Sequence, residues 1–316
     1  MEGESMQRML FTAIGKRVQL ATHFQAHGWE VIGVDANPEE CATQRFVQTI
    51  HKVPRCSDPT YYDRLFEICR EERVDCVIPL FEPELRELAK RKSMFDRHGI
   101  RVIVSDEKVL SICLDKYALW QFFNDIGILT PETYLASEDK TVNAVRWVIK
   151  PRTGMGGYGV RIAETHEIPF YIDKTNNPII QRFIEGQEYS VDVFVNQSGQ
   201  VLSVVPRLRM EVRAGEVSKS ITVEDLEITE QTVRLVKKLG LYGPATIQGI
   251  REAATKKFYF IEVNPRFGGG VPLSIQAGIP YAEFLKDSYR PMSNALHSYQ
   301  VGLKMLRYDE AVYVKE

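Results

Sequence analysis

Residues 258–270 read Phe-Tyr-Phe-Ile-Glu-Val-Asn-Pro-Arg-Phe-Gly-Gly-Gly. The apolar start predicts a buried strand, and alternate side chains of a strand share a face. Glu262, Asn264 and Arg266 therefore point one way while Ile261 and Val263 turn to the core. The strand delivers a carboxylate, an amide oxygen and a guanidinium just before a glycine loop. Hard oxygen donors beside a fixed cation suit Mg²⁺ on polyphosphate, because Mg²⁺ combines carboxylate and carbonyl oxygens with phosphate oxygens. The backbone N–H groups of Gly268-Gly269-Gly270 could face a substrate carboxylate or a developing oxyanion. Taken alone, the segment also reads as a strand end with ordinary surface polar residues.

Three further segments carry chemistry. Lys150-Pro-Arg-Thr-Gly154-Met-Gly156-Gly157-Tyr-Gly159 places a lysine at a strand end before a loop of four glycines. Glycine lets backbone N–H groups approach phosphate closely, and lysine adds a compact positive charge. The spacing is not that of a P-loop, which needs Gly-Lys-Ser/Thr after the loop, and a plain flexible hairpin reads equally well. Lys116 follows Asp115 at the start of a predicted helix. Gln181-Arg182-Phe183-Ile184-Glu185-Gly186-Gln187-Glu188 is a strand entering a turn, where exposed backbone could pair with an adenine edge and Glu188 with ribose hydroxyls.

Around these motifs the chain changes character. The first third alternates strands (9–14, 31–35, 76–80, 102–104) with helices (to 27, 60–72, 84–98), which predicts a parallel, doubly wound sheet. Its first turn, Ile14-Gly15-Lys16-Arg17, lacks Gly-x-Gly-x-x-Gly, so a dinucleotide site is poorly supported. From Lys116 onward a helix to Ile126 precedes mostly antiparallel strands at 147–150, 160–162, 179–183, 189–196 and 201–207. Thr229 is the expected cap of a helix ending at Leu239, and 245–250 with 257–263 form an expected hairpin.

Composition narrows the class. At 316 residues the chain has room for about two domains, and 44% hydrophobic with 26% charged residues fits a soluble globular enzyme. A net charge of −2 gives no electrostatic case for nucleic acid or an anionic membrane. No run of about 18 apolar residues is present. The polar, acidic start before Met9 argues against a signal peptide, and five scattered cysteines without Cys-x-x-Cys spacing fit reduced thiols in a cytoplasmic protein.

The order of the motifs is more specific than any one of them. Lysine at a helix start, lysine with a glycine loop, apolar-Glu-Gly-x-Glu, a strand glutamine and Glu-x-Asn-x-Arg resembles the ATP-grasp superfamily from Lys116 to Ala277. Within it, Ile247-Gln248 and Ile261-Glu-Val-Asn-Pro-Arg266 look most like a single ATP-binding unit of the carbamoyl-phosphate synthase large subunit. The resemblance implies an α/β, Rossmann-like front domain with a parallel sheet over 1–113, then an α+β ATP-grasp fold whose two subdomains clasp ATP. These are a small lid subdomain at 114–188 and a large catalytic subdomain at 189–316.

It also implies roles. Lys116 and Lys150 would hold ATP phosphates beneath the Gly154, Gly156 and Gly157 loop. The backbone of Arg182 and Ile184 with the Gln181 side chain would read adenine, and Glu188 would hold ribose. Gln248, Glu262 and Asn264 would coordinate Mg²⁺, or Mn²⁺ in its place, and Arg266 would stabilise the γ-phosphoryl group and an acyl phosphate. Many members carry an acidic residue where Gln248 stands, although glutamine matches the synthase pattern. The implied activity is an ATP- and Mg²⁺-dependent ligase that activates a carboxylate as an acyl phosphate for attack by an amine. The alternatives are a split synthase-like component phosphorylating bicarbonate or carbamate, and a non-catalytic ATP-binding module. Lys150, Glu262, Asn264 and Arg266 together argue against the last. The expected partners are small-molecule carboxylates and amines, with a homodimer or companion subunit left open. Arg207, Arg209, Arg213 and Lys219 offer a second anion grip or a solvated strand edge, and fold analogy brings Glu82 and Glu84 toward the amine.

Overall fold

The computed structural model describes residues 6–137, 145–213, 215–286, 289 and 295–314; residues 1–5 of the polar start lie outside them. The front third runs β1 (Arg8–Thr12), α1 (Val18–Ala26), β2 (Glu30–Asp35), β3 (Thr49–Lys52), α2 (Tyr61–Glu71), β4 (Cys76–Ile78), α3 (Leu85–Asp96) and β5 (Arg101–Val102). All five strands pair in parallel, in the order β3-β2-β1-β4-β5. Met9, Leu10 and Phe11 of the central strand are fully buried, as expected where helices cover both faces of a parallel sheet. β3 carries one aliphatic residue in four and sits at the edge, so its sequence gave little strand signal.

Two helices, α4 (Glu107–Cys113) and α5 (Lys116–Asp125), lead into a four-stranded antiparallel sheet. It comprises β6 (Thr133–Leu135), β7 (Arg146–Pro151), β8 (Arg161–Glu164) and β9 (Pro178–Arg182), in the order β6-β9-β7-β8, with α6 (Ile168–Ile172) packed on it. A six-stranded sheet follows: β10 (Gly186–Val195), β11 (Val201–Arg213), β12 (Glu216–Thr222), α7 (Leu226–Leu239), β13 (Gly243–Glu252), β14 (Phe258–Asn264), α8 (Val271–Gln276), α9 (Tyr281–Phe284) and β15 (Lys304–Leu306). Its order is β14-β13-β10-β11-β12-β15. The cap of α7 is Asp225, whose carboxylate accepts from the Ile228 N–H at 3.0 Å; Thr229 lies inside the helix and donates to the Asp225 carbonyl. A carboxylate at the N-cap outcompetes a hydroxyl one turn later because it reaches the orphan N–H groups first. Among the described residues, no helix is long and apolar enough to cross a membrane.

Packing joins the layers. One apolar cluster combines Phe11, Phe24 and Trp29 of the front third with Phe194 and Val205 of the large sheet, Phe267 after β14 and Tyr281 of α9. The Trp29 indole N–H donates to the Ala282 carbonyl at 3.0 Å across the same seam. Val109, Leu119 and Phe123 of α4 and α5 join Val191, Ile247 and Phe260 in the core of the large sheet, whereas Trp147, Ile149 and Ile180 form a separate small core under the four-stranded sheet. Residues 114–188 are thus divided between two cores.

Beneath the glycine loop lies a buried polar network. The Arg207 guanidinium, 1% exposed, donates to both oxygens of Asp192 at 2.8 and 2.9 Å. Thr246 and Ser274 hydroxyls donate to the same carboxylate at 2.9 and 2.6 Å. A Cβ built on Gly270 would lie 2.4 Å from Arg207 Nη1, and one on Gly268 would lie 2.4 Å from Thr246 Oγ1. The loop is glycine because the network presses against it. Asp192→Ala leaves the Arg207 charge buried and unpaired, and the expected loss of stability is about 3–5 kcal/mol. Urea unfolding checks it; a loss below about 1 kcal/mol would show that the network does not hold this seam.

Candidate active site

Sheet register assembles the centre. In the β13–β14 pairing, Gln248 stands directly opposite Glu262 and Thr246 opposite Asn264. Directly opposed residues share a face, so the amide and carboxylate sit side by side. Asn264 Nδ2 donates to the Thr246 carbonyl at 3.4 Å, which leaves its amide oxygen available as an acceptor. No group of three His, Cys, Asp or Glu residues gathers among the described residues. Gln248, Glu262 and Asn264 therefore offer one carboxylate and two amide oxygens. Such a set fits a hard cation whose remaining ligands are phosphate oxygens, and not an all-protein cage.

The four-stranded sheet and the start of α5 supply cations. Lys150 ends β7 and is 4% exposed. Its ammonium donates to Gln181 Oε1 at 3.0 Å and stands 4.0 Å from Glu262 Oε1. Burial pushes the Lys150 pKa down to about 8, against the pull of Glu262. The Gln181 amide donates in turn to Thr133 Oγ1 at 2.9 Å. Both ends of the Gln181 side chain are therefore engaged inside the lid, where the sequence had suggested adenine. Lys116 Nζ donates to the Gly154 carbonyl at 2.7 Å, linking the start of α5 to the glycine loop. Asp115 fixes that start by accepting from the Tyr117 and Ala118 N–H groups and from Arg152. Gly154, Gly156 and Gly157 all have positive φ, with open space where a Cβ would be, so backbone conformation is what selects glycine there.

At the hinge, the Arg182 N–H donates to the Glu132 carbonyl at 2.8 Å, and its side chain leaves the cleft to pair with Glu252 at 3.3 Å and lie over the Tyr259 ring. Among the described residues no hydrogen bond is formed by the Ile184 N–H. Glu188 lies 3.2 Å from Arg209 Nε.

Arg266 is largely buried beside Glu82, which reaches from the front domain to 3.8 Å. Burial raises the Glu82 pKa against the opposing charge of Arg266, and burial lowers that of Arg266. Glu84 is elsewhere: fully buried, it accepts from Thr12, from Tyr61 at 2.5 Å and from the Phe81 N–H, which removes it from any substrate. The expected second grip also breaks up. Arg207 is consumed by Asp192, Arg209 pairs with Glu188, and Arg213 and Lys219 both pair with Glu211 at the surface. Sequence reasoning missed Asp192, Arg17, Glu216 and Arg307. The alternation Glu188-Ser190-Asp192 was a usable signal for Asp192, and the first strand–helix turn at the carboxyl ends of a parallel sheet was one for Arg17. Arg307 had none.

The ATP-grasp domain family matches residues 113–270. The chain belongs to that family. A PylC-like N-terminal domain matches residues 9–103 of the same ATP-grasp protein. It is 25% identical over 276 residues to a carbamoyl-phosphate synthase of Methanobrevibacter smithii, covering 81% of this chain and 73% of that one. It is 24% identical to a D-alanine–D-alanine ligase of Thermotoga petrophila, covering 68% and 78%. It is also 24% identical to the carbamoyl phosphate synthase large chain of Thermoplasma volcanium, but it spans only 27% of that longer protein and 84% of its own length. Among solved structures, the biotin carboxylase domain of Hydrogenobacter thermophilus 2-oxoglutarate carboxylase, in complex with MgADP and bicarbonate, superposes with a TM-score of 0.75 at 16% identity, covering 95% of this chain and 74% of that one. At that identity the likeness concerns the fold.

Burial of Lys150 sets a pH signature for this ATP-grasp chain. Its pKa is about 8 when folded and near the ordinary lysine value when unfolded, so between these limits the unfolded chain binds more protons and stability rises with pH. Lys150→Met removes that contribution. The melting-temperature difference between variant and wild type should shift in favour of wild type from pH 7.5 to 10; a constant difference would contradict the buried cation.

Proposed function

We propose that this protein is an ATP- and Mg²⁺-dependent ligase that activates a carboxylate as an acyl phosphate for attack by an amine. The observation that carries the reading is the buried Lys150 of the lid facing Glu262 of the catalytic sheet, with Gln248, Asn264 and Arg266 at the same sheet end. With the division suggested by the sequence (1–113, 114–188 and 189–316), the nucleotide lies between the second and third regions. Lys116 and Lys150 hold its phosphates, and the Gly154–Gly159 loop closes over them. The base is read by the Arg182 carbonyl and the Ile184 N–H, and Glu188 exchanges Arg209 for ribose. Gln181 positions the Lys150 ammonium. Gln248, Glu262 and Asn264 hold Mg²⁺, which neutralises polyphosphate charge when bound; Mn²⁺ meets the same donor set.

Little covalent chemistry is asked of the side chains. A substrate carboxylate oxygen attacks the γ-phosphorus, the bond to the β–γ bridging oxygen breaks, and ADP leaves. Lys150 and Arg266 stabilise the charge spread over the transferring group. The amine then attacks the acyl carbon, phosphate leaves, and Glu82 takes the amine proton, a task suited to a carboxylate whose pKa burial has raised. A closed lid keeps water from the acyl phosphate. The five free cysteines support a reducing, cytoplasmic setting.

The synthase relatives favour a second reading, phosphorylation of bicarbonate or carbamate with a companion subunit. Mg²⁺-dependent ADP release, screened over carboxylates and bicarbonate with and without amines, separates the two. Dependence on both an organic carboxylate and an amine supports the ligase, and stimulation by bicarbonate alone supports the synthase-like reaction. Glu262→Gln and Lys150→Ala should each lower turnover by about 10²-fold or more while the protein stays folded. Wild-type turnover in either folded variant would overturn the site.

A further inference from the structure

A second group of cations faces the glycine loop from the front domain. Arg17, in the turn after β1, is partly buried, and its guanidinium makes no hydrogen bond among the described residues, although the Glu216 carboxylate lies close enough to favour its charge. Its Nη1 lies over Gly269, where a Cβ would approach to 3.2 Å. From the other side, Arg307 Nη2 donates to the Gly269 carbonyl, and Arg307 Nη1 is 3.3 Å from Glu216 Oε2. Lys16 Nζ is 3.3 Å from that same oxygen. Arg17 also feels the positive charges of Arg266 and Arg307. Lys16, Arg17, Arg266 and Arg307 are thus faced by Glu216 and Glu82, while Glu262 is shared with Lys150. Four cations from three distant parts of the chain meet two carboxylates. A partly buried guanidinium that shares one carboxylate with two other cations is incompletely satisfied, and carboxylate or phosphate oxygens match its fork of donors.

We propose that Arg17, Lys16 and Arg307 form a subsite across Gly269 for a second, non-reacting acid group carried by a substrate. The proposal rests on the ligase reading for the place of the reacting carboxylate, which lies at Arg266 and Glu262. The second acid group is a carboxylate or phosphate on the organic acid, or the carboxylate of an amino-acid acceptor. Glu216 occupies the cations of the subsite when no acid group is bound and is displaced from them by one.

Isothermal titration of the full chain with malonate, succinate and inorganic phosphate, and with acetate as the monoacid control, tests the subsite. It is run with and without saturating Mg²⁺ and the non-hydrolysable ATP analogue AMP-PNP, which occupies the phosphate-binding residues. At least one of the three probes should bind more tightly than acetate with AMP-PNP present. Arg17→Gln should weaken it about tenfold or more, and Glu216→Gln should tighten it several-fold, a gain that a misfolded variant cannot show. Equal binding by wild type and Arg17→Gln, weaker binding by Glu216→Gln, no preference over acetate, or no probe binding would each overturn the subsite. Failure of AMP-PNP to bind would instead overturn the ATP-dependent reading, and the nucleotide-free titrations would still decide the subsite. Turnover then locates the acid group: diacids against monoacids with a common amine, and amino acids against their amides with a common carboxylate. One pair should differ at least tenfold in kcat/KM, with Arg17→Gln reducing that ratio to about 1; no ratio in either pair overturns the proposal.

Discussion

A lysine ammonium taken out of water between two sheets governs this molecule. Lys150 receives one hydrogen-bond acceptor from its own subdomain, and that acceptor, Gln181, carries no charge. The carboxylate it faces, Glu262, belongs to the other sheet and stands 4.0 Å away. Desolvating an ammonium is expensive, and a single carboxylate at that distance offsets it only in part, as the lowered pKa records. The cleft is therefore short of negative charge in the resting protein. Under the proposed function a polyphosphate would supply it where the two sheets meet, so that ligand binding and closure of the glycine loop would be one electrostatic event.

The catalytic sheet serves that event through register. Cross-strand pairing sets Gln248 against Glu262 and Thr246 against Asn264, and the same face continues through Ser190 and Asp192 on β10. One end of this face bears the metal-type donors, and the other buries Asp192 with Arg207 under the glycine loop. The loop is consequently held from below by the Asp192–Arg207 ion pair and from the other side by Arg17 and Arg307. Arg207, which the sequence offered as part of an anion grip or a solvated strand edge, is a support because its Nε and Nη2 donate to Asp192 inside the sheet.

What the sequence disclosed follows from range. Glu262 and Asn264 were legible as neighbours on one strand face because alternation over three residues survives in β14, whereas the register shift at Ile261, which leaves Phe260 in the core instead, and the end of the strand before Arg266 were not. Lys150 and its glycines were legible because strand end and loop are adjacent in the chain. The parallel front sheet and the antiparallel remainder followed from strand–helix alternation and its loss. Contacts made only by folding were not legible. Arg17 and Arg307 meet at Gly269 from opposite ends of the chain, and Glu216 sits on a strand whose Ser and Lys content hid it. The Gln181 side chain illustrates the limit differently: its strand was placed correctly, but the direction of its amide was decided by Lys150 and Thr133, on neighbouring strands.

The two cationic groups differ in how they are balanced, and the difference separates their tasks. Around Lys150 and Lys116 the balancing groups are oxygens that also suit a metal, so the charge there matches a polyanion that arrives with its own cation. Around Lys16, Arg17 and Arg307 the balancing group is the Glu216 carboxylate, which pairs directly with Lys16 and Arg307 and favours the charge of Arg17 without a hydrogen bond to it. Guanidinium forks select planar acid groups, whereas ammonium groups act as point charges on phosphate chains. The Lys116 and Lys150 ammonium groups on one side, and the Arg17 and Arg307 guanidinium groups joined by Lys16 on the other, would under the proposed function sort two anionic ligands by shape as well as by charge. The glycine loop between them is narrow because it must pass both Thr246 and Arg207 below and Arg17 above.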